Sequence, residues 1–140
     1  MAQARGLTEG RKQSLAFHCV GVLYVTNSSI MPRTREYEDQ TGQSPFGRWF
    51  NGLEPVAAAK VRRSVAKLEA GLRPDVKTVG GGVHEARIDY GPGYRVYFAF
   101  DGDHLVLLLG GGEKHGQSDD VAAAQKRWVD YKQRKRAAAR

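Results

Sequence analysis

"DYGPGYRVYFAFDGDHLVLLLGGGEKHGQ", Asp89 to Gln117, is the stretch that decides the fold. Within it "YRVYFAF" alternates, so Tyr94, Val96, Phe98 and Phe100 fall on one face of a strand, and Arg95, Tyr97 and Ala99 on the other. "GPG" before it and "DGD" after it are tight-turn signals, and "HLVLLLG" is a second apolar strand. Upstream, "GVHEARIDY" (Gly82 to Tyr90) sets His84, Ala86 and Ile88 against Glu85, Arg87 and Asp89. The three runs predict an antiparallel meander. Arg87, Arg95 and Tyr97 point to one side of it, which is expected to be the exposed face, with Lys114 and His115 arriving from the following loop. The competing reading pairs Arg87 and Arg95 with Glu85 and Asp89 in ordinary cross-strand ion pairs.

Two helices precede the meander. "SPFGRWFNGL" starts with Ser44 as N-cap and Pro45 in the first helical position. "EPVAAAKVRRSVAKLEAGL" opens with Pro55 and stops at Gly71. Val61, Val65 and Leu68 recur at helical spacing while Lys60, Arg63 and Lys67 hold the other side, so this helix packs on the sheet. "IMPRTREYE" suits a short edge strand, because Pro32 cannot donate to a ladder. A last helix is expected from Ser118 as N-cap, with Asp119 and Asp120 in its first turn and Val121, Ala124, Trp128 and Tyr131 as its apolar stripe. The predicted class is α+β, two N-terminal helices packed on a small antiparallel sheet, in the order β-α-α-β-β-β-α.

The 140 residues suffice for one domain with its own core. Residues 1–29 read as an N-terminal extension, residues 30–132 as the domain, and residues 133–140 as a basic, frayed tail. "LAFHCVGVLYV", Leu15 to Val25, has a basic flank like a signal peptide but no clear cleavage site. The preferred reading is a non-native leader with Met31 as the usual first residue. A net charge of +7 and a pI near 9.8 suit a polyanionic partner. Cys19 alone allows neither an intrachain disulfide nor a multi-cysteine zinc site, and fits a reducing cytosol. No run reaches the length of a membrane span.

The motifs that carry well-known chemistries are missing. "GGGVHE" and "GGGEKHG" lack the Lys-Ser/Thr of a phosphate loop and the strand-to-helix order of a dinucleotide fold. The first cluster reads as a flexible entry into a strand, and the second as a loop whose backbone N–H groups could face an anion. His84, His104 and His115 have no carboxylate at ligand spacing, so neither a metal nor another cofactor is expected. No serine elbow is present.

From Trp49 to Asp120, "WFNGL", the block "GVHEARIDYGPGYRVYF", "LLGGGEK" and "QSDD" together resemble the RelE/ParE superfamily of bacterial toxins, and more narrowly its HigB-like addiction-module killer branch. The resemblance implies a cytoplasmic endoribonuclease that cuts mRNA on the translating 70S ribosome without a metal, the 2′-hydroxyl attacking the adjacent phosphate. It implies catalytic roles for Arg95 as phosphate clamp, for Arg87 and Lys114, and for Tyr97 or His115 in proton transfer. It also implies RNA contacts from Arg73, Lys77, Tyr90 and Gln117. Tyr90 is a further substitute for the family's C-terminal catalytic tyrosine, which has no clear equivalent here, and Glu85 stands where RelE carries a lysine. The implied partners are a cognate antitoxin of helix-turn-helix type, through which the complex would bind operator DNA, and mRNA, but no membrane. Two alternatives stay open: a gyrase-inhibiting toxin of the same fold, and a non-catalytic RNA-binding module.

Overall fold

The computed structural model describes residues 32–73 and 75–140. The expected extension over residues 1–29, with its leader and Cys19, lies outside the described residues. The elements are β1 (Arg33–Glu36), α1 (Pro45–Asn51), α2 (Pro55–Glu69), β2 (Val76–Gly80), β3 (Val83–Ile88), β4 (Tyr94–Asp101), β5 (Leu105–Glu113), a 3₁₀ turn (Lys114–Gly116) and α3 (Gln117–Ala138).

Local chemistry explains the helix ends. The Ser44 hydroxyl accepts from the Gly47 N–H at 2.9 Å, and Pro45 follows it at the start of α1. The Glu54 carboxylate accepts from the N–H groups of Val56 and Ala57 at 3.0 and 2.9 Å, capping α2. α3 begins earlier than expected, at Gln117, because the 3₁₀ turn feeds straight into it and Ser118 is not its cap. It also runs on to Ala138, so the segment expected to be a frayed tail is helical.

The five strands form one sheet in the order β1-β5-β4-β3-β2. Two features correct the expected meander. "VKTVG" is a strand, β2, paired antiparallel to β3, and its last glycine leads into a hairpin turn of two more, with Gly80, Gly81 and Gly82 at φ of 101°, 65° and 84°. β1 runs parallel to β5, so the sheet is mixed.

The alternation read from the sequence holds. Tyr94, Val96 and Phe98 join Ala86, Ile88, Val106 and Leu108 in a core under α1 and α2. The opposite face, expected to be exposed, is covered by α3: Tyr97, Ala99, Leu107 and Leu109 pack against Ala124 and Trp128. A sheet closed on both sides accounts for the near-continuous apolar runs of β4 and β5.

The second glycine cluster lies inside β5 and is not a loop. β5 carries a bulge opposite Tyr97 and Phe98, whose partners are Gly110 and Leu108. The Leu109 carbonyl at the bulge accepts from Arg127 Nη1 at 2.9 Å. A Cβ at Gly111 would stand 2.2 Å from the Trp49 ring, and one at Gly112 would stand 1.9 Å from the Asp120 carboxylate. These glycines therefore let α1 and α3 close on opposite faces of one strand.

Candidate functional site

α3 covers Tyr97 but stops short of the end of the sheet where β3 finishes and β4 begins. There a cleft of about 340 Å³ opens, lined by Asp75, Arg87, Asp89, Gly93, Arg95 and Lys114 together with Ile88 and Tyr94. The turn Tyr90 to Gly93 contributes Gly93 to its lining. Gly91 and Gly93 take φ of 56° and 86°, and the Gly93 N–H donates to the Tyr90 carbonyl at 2.9 Å. The Gly93 carbonyl in turn accepts from the Lys114 N–H at 2.8 Å, which fixes Lys114 at the cleft although it belongs to the chain after β5. On the other side the Asp75 carbonyl accepts from the Arg87 N–H at 3.0 Å. Asp75 adopts φ 55°, a left-handed conformation that aspartate tolerates better than most side chains.

Arg87 and Arg95 are direct cross-strand partners, so both guanidinium groups project on the same side. Like charges in this position destabilise a sheet unless an anion intervenes. Arg95 alone has such a partner: Glu85, with 0 % of its surface exposed, places Oε2 3.3 Å from Arg95 Nε, an ion pair outside hydrogen-bond geometry. Its Oε1 accepts from Gln117 Nε2 at 2.7 Å, so the first residue of α3 holds the carboxylate that holds Arg95. Arg95 is 8 % exposed and lines the cleft, while Arg87 is exposed beside it. The cross-strand ion-pair reading is therefore right for Arg95, whose partner is diagonal across the ladder, and no such bridge is formed by Arg87 among the described residues.

The remaining expected site residues divide. Tyr97 is 0 % exposed, with its hydroxyl unpartnered among the described residues. Burial, then the Glu85 and Asp120 carboxylates, push its pKa up to about 12, with Arg95 opposing. The expectation of an exposed Tyr97 is thus corrected: α3 takes it out of reach of anything lying on the surface. His115 is exposed next to Lys114, its Nδ1 3.5 Å from Glu113 Oε1. Tyr90 flanks the site, with the Lys60 ammonium 5.1 Å from its ring centre. Gln117 serves Glu85. Arg73 is not brought in: it sits 4.3 Å over the Phe100 ring, and Phe100 lies about 16 Å along β4 from Arg95 at the rise of a strand. Lys77 is exposed on β2, opposite Glu85 in the ladder.

Sequence reasoning left two residues out of the site. Asp120 lies in the first turn of α3, its carboxyl pKa raised by burial and by Asp119, with Arg127 and His115 opposing. Arg127, whose pKa burial lowers, sits at the bulge. Glu85, which the cross-strand ion-pair reading had set against Arg95, is the pivot of the site. Among the described residues no three His, Cys, Asp or Glu side chains converge as metal ligands. No described helix is long and apolar enough to cross a membrane.

The cleft at the end of this small α+β sheet thus gathers two arginines and a lysine, with Asp75 and Asp89 on the same lining. The family model "Phage derived protein Gp49-like (DUF891)" matches residues 48–129, which span the cleft from α1 into α3. The chain is also 40 % identical over 81 residues to an uncharacterized protein of Haemophilus influenzae strain Rd, covering 57 % of this chain and 82 % of that protein. The chain belongs to the Gp49-like family of phage-derived proteins, which is associated with toxin–antitoxin modules.

Proposed function

We propose that this protein is the toxin of a toxin–antitoxin module, of the RelE/HigB type, and that its cleft cleaves mRNA on the ribosome. The observation that carries the reading is the pairing of Arg87 with Arg95 across the β3–β4 ladder, with Lys114 closing the cleft beside them. Side-by-side guanidinium groups meet the non-bridging oxygens of a phosphodiester in bidentate fashion, and a phosphate between them offsets their mutual repulsion.

The 2′-oxygen of RNA attacks its own phosphorus, and the P–O5′ bond breaks. The proton leaves the 2′-hydroxyl to a base, and a proton reaches the departing 5′-oxygen. The products are a 2′,3′-cyclic phosphate and a 5′-hydroxyl. Negative charge grows on the phosphorane oxygens, and preorganised cations favour it without a metal's help. Arg95, held by Glu85, is the clamp, with Arg87 and Lys114 as its neighbours. His115, exposed next to Lys114, is the group available for proton transfer. The partner that silences the site is an antitoxin, read as a helix-turn-helix protein that carries the complex to operator DNA.

The test is induction in a bacterial host with mapping of mRNA 5′ ends. Cuts phased with translation and lost in Arg87→Ala and Arg95→Lys are the expected result. Growth arrest with intact mRNA and accumulated DNA breaks overturns the reading in favour of gyrase, and no arrest at all overturns it in favour of a non-catalytic module.

A further inference from the structure

The cleft does not end at Arg87. A second groove, of about 190 Å³, shares Asp75, Arg87, Ile88 and Asp89 with it and continues onto α2, where Lys60, Arg63, Ser64 and Lys67 form its wall. Helical spacing of three and four residues puts Lys60, Arg63 and Lys67 on one face, and from first to last they span about 10 Å along the axis. All three are exposed, and none forms a salt bridge among the described residues, where the bridging cations are Arg95, His115, Arg134 and Lys135. The apolar side of the same helix is committed to the core through Ala57, Val61 and Leu68. Packing therefore explains one face of α2; on the cationic face Lys60 lies over the Tyr90 ring, while Arg63 and Lys67 have no such contact among the described residues.

We infer that this face of α2 is a track for the sugar–phosphate backbone of a single RNA strand, running from the Arg95 cleft past Arg87 to Lys60, Arg63 and Lys67. The inference rests on the nuclease reading for its direction and adds a binding surface that the cleft alone does not supply. Charge complementarity argues for the occupant. The groove pairs a row of cations with Asp75 and Asp89, both away from the α2 wall, and Ile88 is its one apolar lining residue. A protein partner would be anchored by apolar or aromatic groups in desolvated pockets, and this groove offers none. A backbone of repeating phosphates needs only spaced cations.

The experiment uses the full chain and a non-cleavable probe, a short 2′-O-methyl RNA, with binding followed by fluorescence anisotropy across a salt series. The variant Lys60→Gln/Arg63→Gln/Lys67→Gln is compared with a charge-matched control on α3 and the chain end that follows it, Lys126→Gln/Arg136→Gln/Arg140→Gln. Each cation withdrawn from a phosphate of single-stranded RNA reduces the slope of log affinity against log salt by about 0.7. The α2 variant is expected to bind at least tenfold more weakly at low salt, with a slope shallower by about 1.4 to 2.1, and the control to change far less. Equal losses of affinity in the two variants, or an unchanged slope in the α2 variant, overturn the track. So does a variant that binds RNA as the wild type does but has lost binding to polyglutamate, which would make the face a site for an acidic protein. Because the probe cannot be cut, the outcome is independent of catalysis: a slope change in a protein that never cleaves RNA keeps the track and sinks the nuclease reading.

Discussion

Glu85 Oε2 stands 3.3 Å from Arg95 Nε, and the carboxylate is fully buried between β3, β4 and the start of α3. A buried charge loses its hydration, so each partner depends on the other. Glu85→Ala strands a largely buried guanidinium and is expected to lower stability by about 3–5 kcal/mol. Arg95→Ala does the same to the carboxylate. Urea unfolding of both single variants and the double variant checks this: the double variant should lose clearly less than the sum of the two. Additive losses would mean that the pair carries no coupling.

Gly111→Ala tests the close approach of α1 to β5. The added Cβ overlaps the Trp49 ring, which packs partly buried against the core, so the ring or the backbone must shift. A loss of about 1–3 kcal/mol is expected, read from thermal melting. Gly102→Ala makes the useful contrast, since nothing lies within 4 Å of its Cβ and only its φ of 71° opposes the change.

Tyr97→Phe separates burial from catalysis. The hydroxyl has no partner among the described residues, so its removal is expected to leave stability unchanged or slightly raised. RNA cleavage by the variant should stay within about twofold of wild type, because an unpartnered buried hydroxyl supplies no interaction that the reaction could lose. A large drop in cleavage with unchanged melting would return Tyr97 to the chemistry.

Asp120 gives a pH signature. Burial raises its folded pKa above the ordinary 3.8, so the ionised form is disfavoured in the native state. That deficit is complete above the folded pKa and disappears as pH falls below the unfolded value. Asp120→Asn should therefore be more stable than wild type at neutral pH, and the advantage should shrink through the acid range and vanish below about pH 3.8. Urea midpoints for both proteins across pH measure it. An advantage that grows as pH falls would contradict the assignment.

Much of this was legible in the residues. Alternation in "YRVYFAF" placed Arg95, Tyr97 and Ala99 on one side, and the turn, cap and proline signals located both early helices. Periodicity did not say that α3 folds back over that side, because a stripe such as Val121, Ala124 and Trp128 shows that a helix packs without naming the surface. The clue was present in "HLVLLLG", whose unbroken apolar run belongs to a strand buried on both faces. β2 went unseen because its five residues carry only two half-buried valines on an edge. The glycines of β5 looked like a loop because their reason lies in Trp49, Asp120 and Arg127, side chains outside the strand itself. At the site, alternation and loop position brought Arg87, Arg95 and Lys114 together as the structure does, and left Tyr97 exposed where α3 buries it.

The central claim is that Arg95, pinned by Glu85, grips the scissile phosphate. Purified protein with programmed ribosomes, followed by fragment yield over time, tests it most directly. Arg95→Lys keeps the buried charge but loses the fork, and Glu85→Gln/Arg95→Ala removes the clamp without leaving a lone carboxylate. Loss of one such charge-stabilising donor set costs about 10²–10³ in rate, so both variants should cut at least a hundredfold more slowly while melting as cooperative folded proteins. Cleavage by both at the wild-type rate would contradict the account.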